Sequence, residues 1–281
     1  MNIITTHLYC LTTAFLTHAV VAQNVIFQDD FNIADTSSES VLTSPSLASG
    51  RGAGTKQDDI VYGFSGGTVG GVSVSSQKLA YSLSSDGHIR FYNASGGEYD
   101  FASDVGDHYE ISYMAHGAHS HPLTFSMSSE PQTGRYNASF DTADQYDFGL
   151  RPWGSDWTVG EDGITLYDGN NVADGFNALT ETEYSVRIVF DERVDDLSTV
   201  GITETEASVY IDSALLGTYD IEFESDERYM QFTARADYDQ TFDDLIISSY
   251  AIPELSNTTF IFSLSALSIC LARRSRYILR A

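Results

Sequence analysis

Tyr184-Ser185-Val186-Arg187-Ile188-Val189-Phe190 decides the fold class, because Tyr184, Val186, Ile188 and Phe190 alternate with Ser185, Arg187 and Val189. A period of two puts successive side chains on opposite faces of an extended strand, whereas a helix repeats near 3.6. The alternation returns in Ala207, Val209 and Ile211 against Ser208, Tyr210 and Asp212. It returns again in Met230, Phe232 and Ala234 against Gln231, Thr233 and Arg235. Each segment reads as a strand with one buried face. Further strands are expected near 25–31, 79–83, 88–92, 109–114, 123–127, 164–167 and 242–248. No window carries a helical stripe and no segment repeats, so the expected fold is all-β, an antiparallel two-sheet jelly-roll sandwich and not a propeller. Residues 36–71 are rich in Ser, Gly and Thr and read as a long surface loop or a loosely held set of short strands.

The two ends of the chain read differently. Residues 8–22 are mostly apolar and end in Val20-Val21-Ala22, the small-residue pattern at which a signal peptidase cuts, so 1–22 is expected to be a signal peptide. Its first residues hold no Lys or Arg, and Cys10 follows Leu8-Tyr9 without a lipoprotein-type small pair. At the other end stand Pro253-Glu254-Leu255, an apolar run over 258–272, then Arg273, Arg274, Arg276 and Arg280. As a helix the apolar run would be about 22 Å long, against about 30 Å of bilayer hydrocarbon, a short span with its arginines on the cytoplasmic side. A buried core helix is the ordinary alternative, but the four arginines within eight residues that follow the run argue against it.

A short acidic proline motif, one hydrophobic segment and an arginine-rich end resemble the PEP-CTERM sorting signal of bacteria that carry an exosortase. Pro253 and Glu254 match that motif, and Leu255 stands where its second proline would be. The resemblance covers about thirty residues and implies export, transient residence in the inner membrane, processing by an exosortase-like partner, and a final place at the cell surface or outside the cell. An LPxTG-like sortase signal is absent, and a GPI signal would not trail arginines.

The remainder, 23–250, is a length that one β-sandwich ectodomain fills. The whole chain has 14 Lys and Arg and 40 Asp and Glu; four of the former and one of the latter follow residue 250, so 23–250 keeps 10 cationic and 39 anionic groups, a net charge of about −29. Such a field repels nucleic-acid phosphates and anionic lipid heads and attracts divalent cations. Nucleic acid is therefore excluded as a partner. Cys10 and Cys270 both lie in the end segments, so the ectodomain depends on core burial without disulfides.

Ser208-Val209-Tyr210-Ile211-Asp212, a turn, Leu216-Gly217-Thr218-Tyr219, then 230–234 and Phe242-Asp243-Asp244-Leu245 resemble the closing hairpin and last strands of concanavalin A-like or laminin G-like domains. Asp29-Asp30-Phe31-Asn32 is similar to their opening strand. This resemblance covers about a third of the domain and implies a jelly roll, a fold shared by lectins, carbohydrate-binding modules, glycosidases and plain adhesive domains.

Three groups of residues carry candidate chemistry. The doublets Asp29-Asp30 and Asp243-Asp244 would meet if the first and last strands lie side by side, and carboxylate oxygens are what a structural Ca²⁺ requires. Successive residues face opposite ways, so about half of the four can share a site unless a bulge re-aims one. Solvated strand-end charge is the ordinary alternative. Asp220-Ile221-Glu222-Phe223-Glu224 puts three carboxylates on one strand face and resembles the Glu-x-Asp-x-Glu of laminarinase-type glycosidases, with nucleophile first and acid/base last. Here the first acid is one methylene short and the middle one too long, and residues four apart on a strand lie about 13 Å apart, not the 5–5.5 Å of a retaining pair. Trp153 and Trp157 flank a Gly-Ser turn; a tryptophan face can stack on sugar, and in a sandwich it also serves as a core plug. His116, His119 and His121 have loop spacing that could suit zinc or nickel, without a supporting cysteine. No phosphate-cradling loop, HExxH or nucleophile elbow is present, and 168–175 fails the EF-hand spacing.

The expectation is an exported, non-enzymatic sandwich with a structural or adhesive role and no assigned catalytic residue. A carbohydrate-binding module acting through Trp153 or Trp157 on extracellular polysaccharide is the first alternative, and a divergent glycosidase the second.

Overall fold

The computed structural model describes residues 23–32, 52–65, 72–75, 78–81, 87–116, 124–131, 146–153, 156–161, 164–169, 183–193, 203–234 and 240–250. All lie in one compact unit, Gln23–Tyr250. The expected signal peptide 1–22, the expected sorting tail 251–281 with Pro253, Glu254, Leu255, Arg273, Arg274 and Arg276, and His119 and His121 lie outside them. Among the described residues no helix is long and apolar enough to cross a membrane.

The described strands are β1 (Gln23–Asp29), β2 (Ile60–Ser65), β3 (Val72–Ser75), β4 (Lys78–Tyr81), β5 (Gly87–Asn93), β6 (His108–His116), β7 (Thr124–Ser128) and β8 (Phe148–Trp153). They continue as β9 (Asp156–Glu161), β10 (Ile164–Gly169), β11 (Tyr184–Arg193), β12 (Thr203–Ile211), β13 (Ala214–Phe223), β14 (Tyr229–Ala234) and β15 (Gln240–Tyr250), with one helical turn, α1 (Ala102–Val105), between β5 and β6. They build two antiparallel sheets. One runs β13-β12-β11-β6-β15-β4-β3, with β1 also paired to β15; the other runs β10-β9-β8-β7-β14-β5-β2. Hairpin pairs alternate with pairings between strands distant in sequence, β11 with β6, β6 with β15, β15 with β1 and β4, β7 with β14 and β14 with β5, and the all-β sandwich expected from the alternation is the fold observed.

The alternating segments behave as their period dictates. Val186, Ile188 and Phe190 of β11, and Ala207, Val209 and Ile211 of β12, point into the core, as do Met230 and Phe232 of β14. The β12–β13 hairpin turns on Asp212 and Ser213, whose φ values of 48° and 69° are the two left-handed positions of a type I′ turn. Aromatic rings stitch the sheets together: Tyr113 meets Phe232 edge-on at 5.1 Å, and Phe148 meets Phe190 edge-on at 5.2 Å. Each such pair adds about 0.5–1.5 kcal/mol beyond area burial.

Two places depart from the sequence reading. The stretch 36–71 contributes β2, whose Ile60 and Tyr62 are core residues, followed by an edge position on the seven-stranded sheet. The preceding residues 52–57 lie along the free edge of β1: Thr55 and Lys56 donate to the carbonyls of Val25 and Ile26 at 2.9 and 2.8 Å. A Cβ at Gly54 would collide with the Ile26 carbonyl, so only glycine admits that approach. The tryptophan segment, not among the expected strands, is the β8–β9 hairpin, with Trp153 paired to Asp156 and Pro152 to Trp157.

Candidate functional site

The first and last strands do lie side by side. β1 pairs antiparallel with β15 from Gln23↔Tyr250 to Asp29↔Leu245. The first residues of β15 pair on that same edge with β4 through Gln240↔Tyr81, Thr241↔Ala80 and Phe242↔Leu79. Asp243 and Asp244 therefore sit where β15 passes from one edge partner to the next. The register against β6 slips there, between Asp243 and Ile246, and Asp244 takes φ 48°. This is the bulge that can re-aim one carboxylate.

The four aspartates divide. Asp29 is wholly buried and its Oδ1 accepts the Phe31 N–H at 2.9 Å, closing the turn that ends β1. Asp30 Oδ1 accepts the Asn32 N–H at 3.0 Å and Asp243 Oδ1 the Asp244 N–H at 2.8 Å. Burial pushes the Asp243 carboxyl up to about 6; the Asp244 N–H and Lys78 oppose the rise, while the Asp244 and Asp30 carboxylates add to it. Three carboxylates are thus in electrostatic contact, with Asp29 engaged in its turn. Among the described residues no set of three or more His, Cys, Asp or Glu is arranged to hold a metal ion.

The acidic run on β13 is exposed at Asp220, Glu222 and Glu224, and β13 is an edge strand of the eight-stranded sheet. Glu222 pairs with Glu204 and Asp220 with Glu206, so like charges stand directly opposite, an arrangement that costs stability. Glu161 of β9 reaches across from the other sheet, and its Oε1 accepts the Glu222 N–H at 2.6 Å. Glu161, Glu204, Glu206, Asp220 and Glu222 line an open cleft of about 290 Å³. The outcome is an acidic rim on a sheet edge.

Trp157 is 0 % exposed and meets Tyr184 edge-on at 5.4 Å, so its ring is a core plug and offers no face to a sugar. Trp153 closes β8 beside Asp156. His116 ends β6 opposite Thr241.

A second polar surface had no signal in the sequence, because its members are scattered along the chain. Strand register sets Gly63 beside Arg90, Arg90 beside Gln231, Gln231 beside Ser126, Ser126 beside Gly149 and Gly149 beside Gly160. Their chain neighbours Tyr62, Phe91, Phe232, Phe125, Leu150 and Val159 are core residues, so the row lies on the face of the seven-stranded sheet turned away from the core. At about 4.8 Å per strand it runs about 24 Å. Arg90 Nε donates to Gln231 Oε1 at 2.8 Å, and Gln231 Nε2 donates to Thr233 Oγ1 at 3.1 Å. Glu98 approaches Arg90 at 3.6 Å, and the Tyr92 ring lies across Gly63, where a Cβ would strike it. Ser126 is 0 % exposed, and among the described residues its hydroxyl has no hydrogen-bond partner. A polar group in that state is rare in a folded protein.

No family model and no curated protein matches the chain. Solved structures resemble it at low identity. A protein of unknown function with a galectin-like fold from Bacillus subtilis is 10 % identical, covers 82 % of this chain and 99 % of its own, and has a TM-score of 0.44. The metal-free carbohydrate recognition domain of Emp46p is 9 % identical over 76 % of this chain and 98 % of its own, with a TM-score of 0.43. Porphyranase B from Zobellia galactanivorans is 9 % identical over 83 % and 94 %, also with a TM-score of 0.43.

Proposed function

We propose that the chain is an exported, surface-displayed, non-enzymatic β-sandwich that contacts polysaccharide through the outward face of its seven-stranded sheet. The observation that carries this reading is the row from Arg90 through Gln231 and Ser126 to the Gly149–Gly160 pair. It combines oriented donors and acceptors, a hydroxyl without a hydrogen-bond partner among the described residues, and two adjacent glycines, on the face turned away from the core. Sugar hydroxyls are donors and acceptors at once and suit such a row. The β13 carboxylates fit surface charge better than catalysis, since they are solvated and strung along one strand.

In this reading the tail acts as a PEP-CTERM-like address, with Pro253 and Glu254 as the processing motif, an exosortase-like enzyme as the partner and 258–272 as the transient membrane segment. Calcium, if used, belongs at Asp30, Asp243 and Asp244, with Asp29 contributing the turn beside them. The test is a glycan array probed with the full-length chain and with Ser126→Trp, which fills the centre of the row. Binding by the parent that the variant loses supports the reading; binding that survives Ser126→Trp removes the face from it.

A further inference from the structure

The edge of β13 offers a second surface, apart from the seven-stranded face. Among the described residues β13 is the last strand on its side of the eight-stranded sheet. Glu161 of the other sheet accepts the Glu222 N–H, so that N–H points away from β12. In a regular antiparallel ladder every second residue turns its backbone groups the same way, here Asp220 and Thr218, whose pairing with Glu206 and Ser208 is unbroken. Their N–H and C=O groups face outward over about 7 Å of strand and take no partner among the described residues. Glu161 blunts the edge at Glu222 alone.

The side chains along this edge are open to solvent. Leu215, Thr218, Asp220 and Glu222 are all exposed, and register places them on the outward face of β13, opposite Tyr210, Ser208, Glu206 and Glu204. No Lys or Arg lines the cleft that the carboxylates surround. Thr205 lines it too, is 2 % exposed, and has a hydroxyl without a hydrogen-bond partner among the described residues. The exposed large apolar side chains of the described domain are Leu215 and Ile164, at 53 % and 61 %, and both belong to edge strands. Ile164 pairs with Glu161, the residue that reaches Glu222, so both stand on the same side of the sandwich.

A strand laid antiparallel on β13 sets alternate side chains opposite Thr218, Asp220 and Glu222, where opposite charges stabilise and like charges destabilise. A second copy of this chain is a poor occupant, because it brings the same carboxylates on a domain with 10 Lys and Arg against 39 Asp and Glu. We propose that the β13 edge receives an extended cationic polypeptide segment as an added strand. Its backbone pairs with Thr218 and Asp220, Lys or Arg at alternate positions meets Asp220 and Glu222, and an apolar residue covers Leu215.

Fluorescence anisotropy compares three labelled peptides of about ten residues binding the full-length chain at about 0.1 M salt. The first alternates Lys with Val or Thr, the second keeps those lysines with proline in the alternate places, and the third replaces the lysines by glutamate. The first is expected to bind about tenfold or more tighter than the second, the effect of one to two backbone hydrogen bonds, and the third not to bind. Asp220→Lys combined with Glu222→Lys is expected to abolish binding of the first peptide, and Thr218→Pro to remove its advantage over the second. The Thr218 N–H faces away from β12, so proline there spares the ladder, and the lysine variant changes two exposed positions, which keeps a folded variant in the test. Equal binding of the two lysine peptides overturns strand addition. Undiminished binding after Asp220→Lys with Glu222→Lys overturns the location. A dimer of the parent chain in sedimentation that Thr218→Pro dissolves overturns the cationic partner in favour of a second copy. No binding of the first peptide overturns the proposal outright, and none of these outcomes depends on glycan binding.

Discussion

Arg228→Met should cost this sandwich about 3–5 kcal/mol, and replacing its partner as well should return most of that loss. Arg228 is 1 % exposed, and its Nε donates to Glu192 Oε1 at 2.8 Å. Its Nη1 donates to the carbonyls of Ser225 and Glu227 at 2.6 and 2.7 Å. Its guanidinium carbon lies 3.9 Å above the centre of the Phe223 ring, and the Tyr109 hydroxyl donates to the same Glu192 oxygen at 2.9 Å. The cation thus ties the 225–228 turn to β11 and β6. Methionine fills the space but leaves the Glu192 carboxylate, only partly exposed, without its cation, and frees the Ser225 and Glu227 carbonyls. Changing Glu192 to Leu in the same chain removes the stranded charge, so the double variant should lie well above the sum of the two single losses. Urea unfolding of the parent, both single variants and the double variant measures this directly, with the m-value checking that the transition is unchanged in extent. A loss below about 1 kcal/mol for Arg228→Met, or a double variant that merely adds the single losses, would refute the reasoning.

Asp243 gives a pH dependence of definite sign. Its carboxyl is raised from 3.8 to about 6 in the folded chain, so its contribution is fully present below about 3.8 and is lost as pH rises through about 6. The melting temperature should climb between pH 7 and pH 5, and Asp243→Asn should flatten that part of the profile; an unchanged slope would remove Asp243 as its source. At pH 7 the same melt with Ca²⁺ or with EDTA distinguishes a metal from a proton as the partner of Asp30, Asp243 and Asp244: a Ca²⁺-dependent rise that Asp244→Asn abolishes identifies the ion, and indifference leaves the proton alone. For the tail, mass spectrometry of surface and medium fractions should find a chain ending near 250–256, and recovery of only intact chain to Ala281 would replace sorting with permanent anchoring.

How much was legible follows from what each strand faces. β11, β12 and β14 alternate cleanly, since one face of each enters the core. The hairpin of β8 and β9 was missed because Pro152 and the Gly-Ser pair between Trp153 and Asp156 are turn residues and suggested an exposed turn. The buried Trp157 shows that the turn belonged to the hairpin itself. β7 is the more instructive case: Thr124, Ser126 and Ser128 alternate with core residues as on a solvated strand, yet all five residues are buried. Composition reported the face as polar, and its low exposure came only with the fold.

The candidate site was illegible for a related reason. Residues 63, 90, 126, 149, 160 and 231 become neighbours through the register of six strands, and nothing local in the chain announces that register. The aspartate doublets could be anticipated because they belong to the first and last strands, which a jelly roll sets side by side. The left-handed turn at Asp244 that separates their roles could not, since a non-glycine residue rarely adopts it.

The most direct test is an amide hydrogen-exchange footprint of the full-length chain with and without a bound oligosaccharide. Ligand-induced protection concentrated at 88–92, 124–128, 149–151 and 229–233 is the result predicted for a glycan seated on the seven-stranded face. Protection confined to 204–206 and 220–222 on the acidic edge would contradict it.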